Sequence, residues 1–173
     1  MEQIILVDRN DSETGSGEKM DVHRNGQLHR AFSIFVFNSR GETLLQQRAE
    51  GKYHSAGLWT NTCCSHPRTG ESLEEAVHRR LKEEMGFDCN LREAFSFIYR
   101  SEFGNGLTEH EFDHVFVGRF DGIPSPDKSE VSSFRWVGLE ELIADIKNSP
   151  EKYTYWLKDC IGRVAGHVKA NGV

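Results

Sequence analysis

The chain has 173 residues, a formal charge of −6, 37% hydrophobic residues and a mean hydropathy of −0.58. That is enough chain to bury one real core, and no apolar run approaches the roughly 20 residues of a membrane span. The negative balance argues against general nucleic-acid binding, which needs a basic surface, so an anionic ligand has to meet locally placed cations or metal ions.

Gln3 to Asp8 reads as a strand, without the basic region or cleavage site of a signal peptide. Asn10 to Lys19, with Gly15, Ser16 and Gly17, reads as a loop. Arg30 to Phe37 is a nearly continuous apolar run and a strong strand. Asn38 to Gly41 is a turn, and Glu42 to Arg48 pairs back as a hairpin; Glu50 to Leu58 is irregular. Leu73, Val77, Leu81 and Met85 recur every four residues, so Glu71 to Met85 is a helix with one apolar stripe, capped by Gly86. Strands follow near 90–100, 109–120 and 132–137, with a loop from Gly122 to Asp127. Leu139 to Asn148 and Lys152 to Lys169 are the last helices, and the order predicts one mixed α+β domain over residues 1–173.

The chemistry concentrates in Trp59-Thr60-Asn61-Thr62-Cys63-Cys64-Ser65-His66-Pro67 and the helix behind it. A thiol stands two residues from an imidazole, just before Arg79, Arg80, Glu83 and Glu84. Adjacent cysteines such as Cys63 and Cys64 rarely build a disulfide framework, so a reduced, cytoplasmic setting is expected. Cys89 and Cys160 read as ordinary buried or half-buried residues. His23 and His29 lie upstream; Glu109 and Glu111 lie downstream on one face of a strand, and Asp113 continues that face. Three imidazoles and two carboxylates suit a divalent ion such as Mn, Mg or Zn. For any single histidine, or for the two glutamates alone, an ordinary surface or packing role is the commoner one.

The pattern from Ser65 to Phe87 resembles a Nudix box. Glu71, Arg79, Leu81, Glu83, Glu84 and Gly86 match it, while Ser65 replaces its first glycine and Arg80 replaces the glutamate after its arginine. Box glutamates a turn apart hold divalent cations against a diphosphate. Arg80 removes a hard ligand and adds a fixed positive charge beside Glu84. Such a helix can bind a diphosphate but is poorly equipped to activate water against it.

With the cysteine motif and the Glu109-His110-Glu111 run, the chain from Lys19 to Trp156 resembles the type I isopentenyl-diphosphate isomerases. The resemblance implies a Nudix-like mixed β-sheet sandwich flanked by helices and a small isoprenoid diphosphate substrate. It also implies no membrane or nucleic-acid partner, and a monomer or weak dimer. It implies that His23, His29, His66, Glu109 and Glu111 bind one divalent metal (Mn, Mg or Zn), and that Glu84 and the Cys64 carbonyl help hold a substrate-linked Mg. Cys64 and Glu111 become the acid–base pair, either of them donor or acceptor, with Tyr99 relaying or orienting a proton. Cys64 is chosen over Cys63 because the family thiol lies two residues before the histidine. Lys19, Arg48, Lys52 and Arg80 match phosphate-contact positions. Trp156 matches an aromatic that meets a developing cation, although core packing is the commoner role for a tryptophan on a last helix. The polar, glycine-flanked segment from Lys19 to Leu28 is expected to be mobile until metal or substrate binds. Two rival readings are a Nudix hydrolase of nucleoside diphosphate derivatives, in which the cysteines have no role, and a non-catalytic binding domain, which needs no thiol beside Glu111.

Overall fold

A computed structural model describes residues 2–173. Its hub is strand β3 (His29–Phe37), whose apolar run lets it bury both faces. Phe32, Ile34 and Val36 pack with Ala76, Val77, Leu81 and Met85 of helix α2 (Leu73–Met85). Phe35 and Phe37 point the other way, into a core with Leu157, Cys160, Ile161 and Val164 of helix α4 (Tyr155–Asn171) and Leu142 of helix α3 (Leu139–Asn148). Period-two alternation on one strand thus makes two cores and two helical layers.

The sheet is mixed. β3 runs parallel to β8 (Thr108–Arg119), with His29 opposite Glu111. It runs antiparallel to the short β6 (Cys63–Ser65), with Ser33 opposite Cys64, and turns through Asn38–Gly41 into β4 (Glu42–Arg48). β7 (Leu91–Glu102) pairs with β8, placing Tyr99 opposite Glu111. β4 also pairs with β5 (Trp59–Thr60) and β9 (Val131–Gly138). The expected α+β class and helix-flanked mixed sheet are therefore what the chain forms.

Helix α2 starts at Leu73, two residues later than predicted, because Ser72 and Glu75 form a reciprocal capping box. Gly86 ends it in the left-handed region at φ 74°, and a Cβ there would lie 2.2 Å from Ser125 O.

Two predicted boundaries need correction, and one helix was not anticipated. Most of the expected loop from Asn10 is strand β2 (Glu13–Glu18), paired to β1 (Gln3–Val7). Its ladder is made by backbone groups, so the polar Glu-Thr-Gly-Ser-Gly-Glu sequence carries no apolar alternation to betray it. Lys19–Asn25, for which no element was expected, is helix α1, capped by the Glu18 carboxylate and by left-handed Gly26, with Val22 and His23 fully buried. The last helix begins at Tyr155 rather than Lys152. Pro150–Lys152 is a single 3-10 turn, and Thr154 is extended, its N–H donating to Trp59 O and its hydroxyl meeting Thr60 Oγ1.

Candidate active site

The polar side chains of the Trp59–Pro67 run build a scaffold. Thr62 donates to Leu44 O at 2.7 Å and accepts from the Val36 N–H, stitching β3 to β4. Asn61, fully buried, donates to Cys63 O at 2.8 Å and Ile34 O at 3.2 Å. Its Oδ1 accepts from Thr60 Oγ1 at 2.9 Å and from Trp156 Nε1 at 3.1 Å. One amide therefore shapes the turn before the cysteines and aims the Trp156 indole. Cys63 packs in the core, while Cys64 is half-buried and lines a cavity.

That cavity collects most of the predicted residues. Lys19, Arg48, Lys52, Arg80, Glu84, Cys64, His66, Tyr99, Glu109, Glu111 and Trp156 all line it, and His23 and His29 sit behind His66. Register explains the convergence: β8 presents Glu109 and Glu111 on one face, and β7 brings the Tyr99 hydroxyl to both. That hydroxyl donates to Glu111 Oε2 at 2.7 Å and also meets Glu109 Oε2.

The imidazoles are set up as lone-pair donors. His23 Nδ1 lies 2.6 Å from Lys19 O and His29 Nδ1 lies 2.8 Å from Gln27 O. A carbonyl can only accept, so both Nδ1 atoms carry the proton and both Nε2 atoms offer a lone pair. His23 Nε2, fully buried, has no hydrogen-bond partner among the described residues. His29 Nε2 lies 3.2 Å from His66 Nε2, which lies 3.0 Å from Glu111 Oε1. Burial holds His66 well below the usual histidine range and His23 below it, so both are neutral. Burial would raise Glu111, but the adjacent His66 and His29 imidazoles outweigh it and hold the carboxyl well below the carboxylate range. Beside it, burial and the Glu111 charge push Asp113 well up, and its Oδ1 is unpartnered, as suits a neutral acid.

One donor atom from each of His23, His29, His66 and Glu111 lies within 4.8 Å of the others. An orphaned buried nitrogen, neutral imidazoles and an ionised carboxylate fit a divalent cation. The fifth expected ligand, Glu109, is not in that group. Its Oε1 lies 2.8 Å from His54 Nε2, and with His54 and His23 it forms a second cluster of three donors. The geometric reason is its place on β8, two residues along from Glu111, about 7 Å. His54 and its neighbour Tyr53, which also line the cavity, were missed from the sequence. The only signal was a Lys-Tyr-His run in a stretch with no periodicity.

The cations are held by carboxylates. Lys19 pairs with Glu2 at 3.0 Å; Lys52 pairs with Glu130; Arg80 pairs with Glu83 at 2.7 Å, with Glu84, and with Glu130 at 3.6 Å. Arg79 makes the other box pairing, bidentate to Glu71 at 2.6 and 2.8 Å. Gln46 donates to Glu84 Oε2 at 2.8 Å. Arg48 differs: among the described residues it has no carboxylate partner, only His54 O at 3.2 Å, and its buried Nε is unpartnered. Its guanidinium lies 5.4 Å over the Trp156 ring. Burial, reinforced by the charges of Glu84, Glu109 and Glu111 against the opposing pull of Arg48, pushes the Cys64 thiol well up, so it keeps its proton.

Fold and site together define a Nudix protein, and the NUDIX domain model matches residues 27–157. The chain is 54% identical to an isopentenyl-diphosphate Delta-isomerase 2 of Aromatoleum aromaticum, covering 99% of this chain and 90% of that one. It is 58% identical to an isopentenyl-diphosphate Delta-isomerase 2 of Photorhabdus laumondii, covering 92% and 90%. Within the Nudix family, the chain belongs to the isopentenyl-diphosphate Delta-isomerases. Among solved structures, a Deinococcus radiodurans protein superposes with a TM-score of 0.79 at 24% identity, covering 94% of this chain and 98% of that one. A MutT protein of Methanosarcina mazei superposes at 0.69 with 23% identity, covering 82% and 96%. At such identities the likeness concerns the fold alone. No helix among the described residues is long and apolar enough to cross a membrane.

Proposed function

We propose that the chain interconverts isopentenyl diphosphate and dimethylallyl diphosphate by adding one proton and removing another. The observation that carries this is the convergence of Cys64, Tyr99 and Glu111 on the same cavity as Trp156 and four cationic side chains. A proton goes to the terminal alkene carbon, the positive charge develops at the branched carbon, and a proton leaves the carbon next to the diphosphate-bearing one. An unactivated alkene is a very weak base, so the acid must be close and shielded from water. Cys64 and Glu111 are the pair, each donor or acceptor according to direction. The thiol holds a proton and the carboxylate lacks one, as a proton-in, proton-out reaction requires.

Tyr99 orients Glu111 by its hydrogen bond. The Trp156 face, fixed by Asn61, meets the developing cation. Lys19, Arg48, Lys52 and Arg80 bind the diphosphate by charge-assisted hydrogen bonds, in competition with Glu2 and Glu130 for the two lysines. His23, His29, His66 and Glu111 would hold a divalent ion (Mn, Mg or Zn), with Glu109 next to it, and Glu84 would help hold a substrate-linked Mg. Such ions supply positive charge that anchors the diphosphate and lowers the proton affinity of neighbouring groups.

The test is proton NMR of isopentenyl diphosphate in heavy water with enzyme and Mg. Deuterated dimethylallyl diphosphate from the wild type, abolished by Cys64→Ala, is expected. Release of phosphate without isomer would mean that the Nudix helix hydrolyses despite Arg80, and the proposal would be withdrawn.

A further inference from the structure

His54 faces two cavities. Inward it lines the site of about 40 Å³ beside Cys64, Tyr99 and Trp156. Outward it lines an open groove of about 530 Å³ with Leu58, Phe103, Tyr153 and Tyr155. Among the described residues no other side chain borders both. The imidazole is wedged in place: it stacks on Phe103 at 4.5 Å and 8°, and meets the Tyr53 ring edge-on at 4.5 Å and that of Trp156 at 5.9 Å. Its side chain is only 2% exposed. A flat ring stacked on Phe103 and hemmed in by Tyr53 and Trp156, with a tight polar chamber on one side and a wide groove on the other, is a partition.

Its position decides what it partitions. Lys52 and Arg80 share Glu130, and Lys19 lies close enough to act on the same carboxylate, so three of the four cations gather on one side, while Arg48 reaches across to the Trp156 ring. His54 instead meets Trp156, the aromatic assigned to the reacting carbons. The diphosphate then lies toward the lysines and the hydrocarbon toward the imidazole. We propose that His54 is a specificity-determining wall that limits the substrate to a five-carbon hydrocarbon by closing the site off from the outer groove. This rests on the isomerase reading and goes beyond it. Removing the ring would join the chamber to a groove with Leu58, Phe103 and Tyr155 on its walls, room enough for added methylene groups.

The experiment is a competition in one tube between isopentenyl diphosphate and homologues with one extra methylene. One homologue carries it on the branch, the other on the alkene terminus, and isomers are read by NMR in heavy water. Relative kcat/KM from competition does not depend on how much enzyme is active. The wild type should prefer the five-carbon substrate by about 10–200-fold, the discrimination one methylene gives in a closed pocket. His54→Ala should lower the preference against at least one homologue about tenfold. His54→Phe removes the same 2.8 Å contact with Glu109 but keeps a ring on Phe103, so it should hold the preference within about threefold of wild type. An unchanged preference in His54→Ala, or an equal fall in both variants, would overturn the wall. His54→Asn, smaller than imidazole, gives the same readout should His54→Ala fail to fold. Absence of isomer from wild type would refute the functional reading; turnover with unmoved ratios would refute only this inference.

Discussion

Replacing Asn61 by alanine should uncouple the turn before the cysteines from the tryptophan on the last helix. The amide makes four buried hydrogen bonds, to Thr60 Oγ1, Ile34 O, Cys63 O and Trp156 Nε1. Thr60 retains Thr154 at 2.9 Å, and Ile34 stays in the β3–β6 ladder. Cys63, opposite Ile34 in that ladder, stays in it too, so the Trp156 N–H is the group left without its partner. At about 1–3 kcal/mol for a buried orphan, the loss is about 1–3 kcal/mol. For a protein of this size, each kcal/mol is worth about 2–4 °C in Tm, so the midpoint should fall by at least about 2 °C. Trp156→Phe removes the donor but leaves Asn61 Oδ1 its bond from Thr60, so it should cost less. In the double variant the two costs should not add, with a coupling of about 0.5–3 kcal/mol. Urea unfolding of the four proteins, followed by fluorescence and circular dichroism, measures this cycle. An Asn61→Ala variant within about 0.5 kcal/mol of wild type, or costs that simply add, would refute the reasoning.

Gly86→Ala and Gly70→Ala share a left-handed backbone, at φ 74° and 80°, but only the former meets an atom, Ser125 O at 2.2 Å. Gly70→Ala should cost about 1–2 kcal/mol and Gly86→Ala clearly more, and equal losses in denaturant midpoint would count against the close approach. Among the described residues Arg48 has no carboxylate to hold it, so Arg48→Ala should weaken diphosphate binding about 10–150-fold, from about 1.5–3 kcal/mol for a charged hydrogen bond. Calorimetry with the diphosphate substrate tests this, and an unchanged Kd would remove Arg48 from the phosphate site. Protein stripped with a chelator should melt at a lower temperature and recover with Mn, by about 2.7 kcal/mol at a hundred times Kd. His23→Ala should blunt that shift. A Tm indifferent to Mn would mean that the imidazole cluster binds no metal.

Local pattern determined much of this protein. The four-residue spacing of Leu73, Val77, Leu81 and Met85 specified α2, and the run Ala31–Phe37 specified the central strand, because each records how one element buries apolar surface. The cysteine motif and the box marked the residues that line the cavity. What the sequence did not reveal lacked such a pattern. β2 is held by its backbone ladder to β1, so its side chains carry no code for it. Helix α1 is short and polar, stabilised by the burial of Val22 and His23 against the rest of the chain. His54 lies in an irregular stretch and acquires its neighbours Phe103, Trp156 and Glu109 only when distant segments come together. The split of the expected five ligands into two clusters sharing His23 likewise depends on side-chain direction along β8 and on what Tyr99 and His54 offer Glu109. Composition and periodicity report what a residue buries next to its own neighbours in the chain; which donors share an ion is a matter of distances across the sheet, and these exist only in the folded molecule.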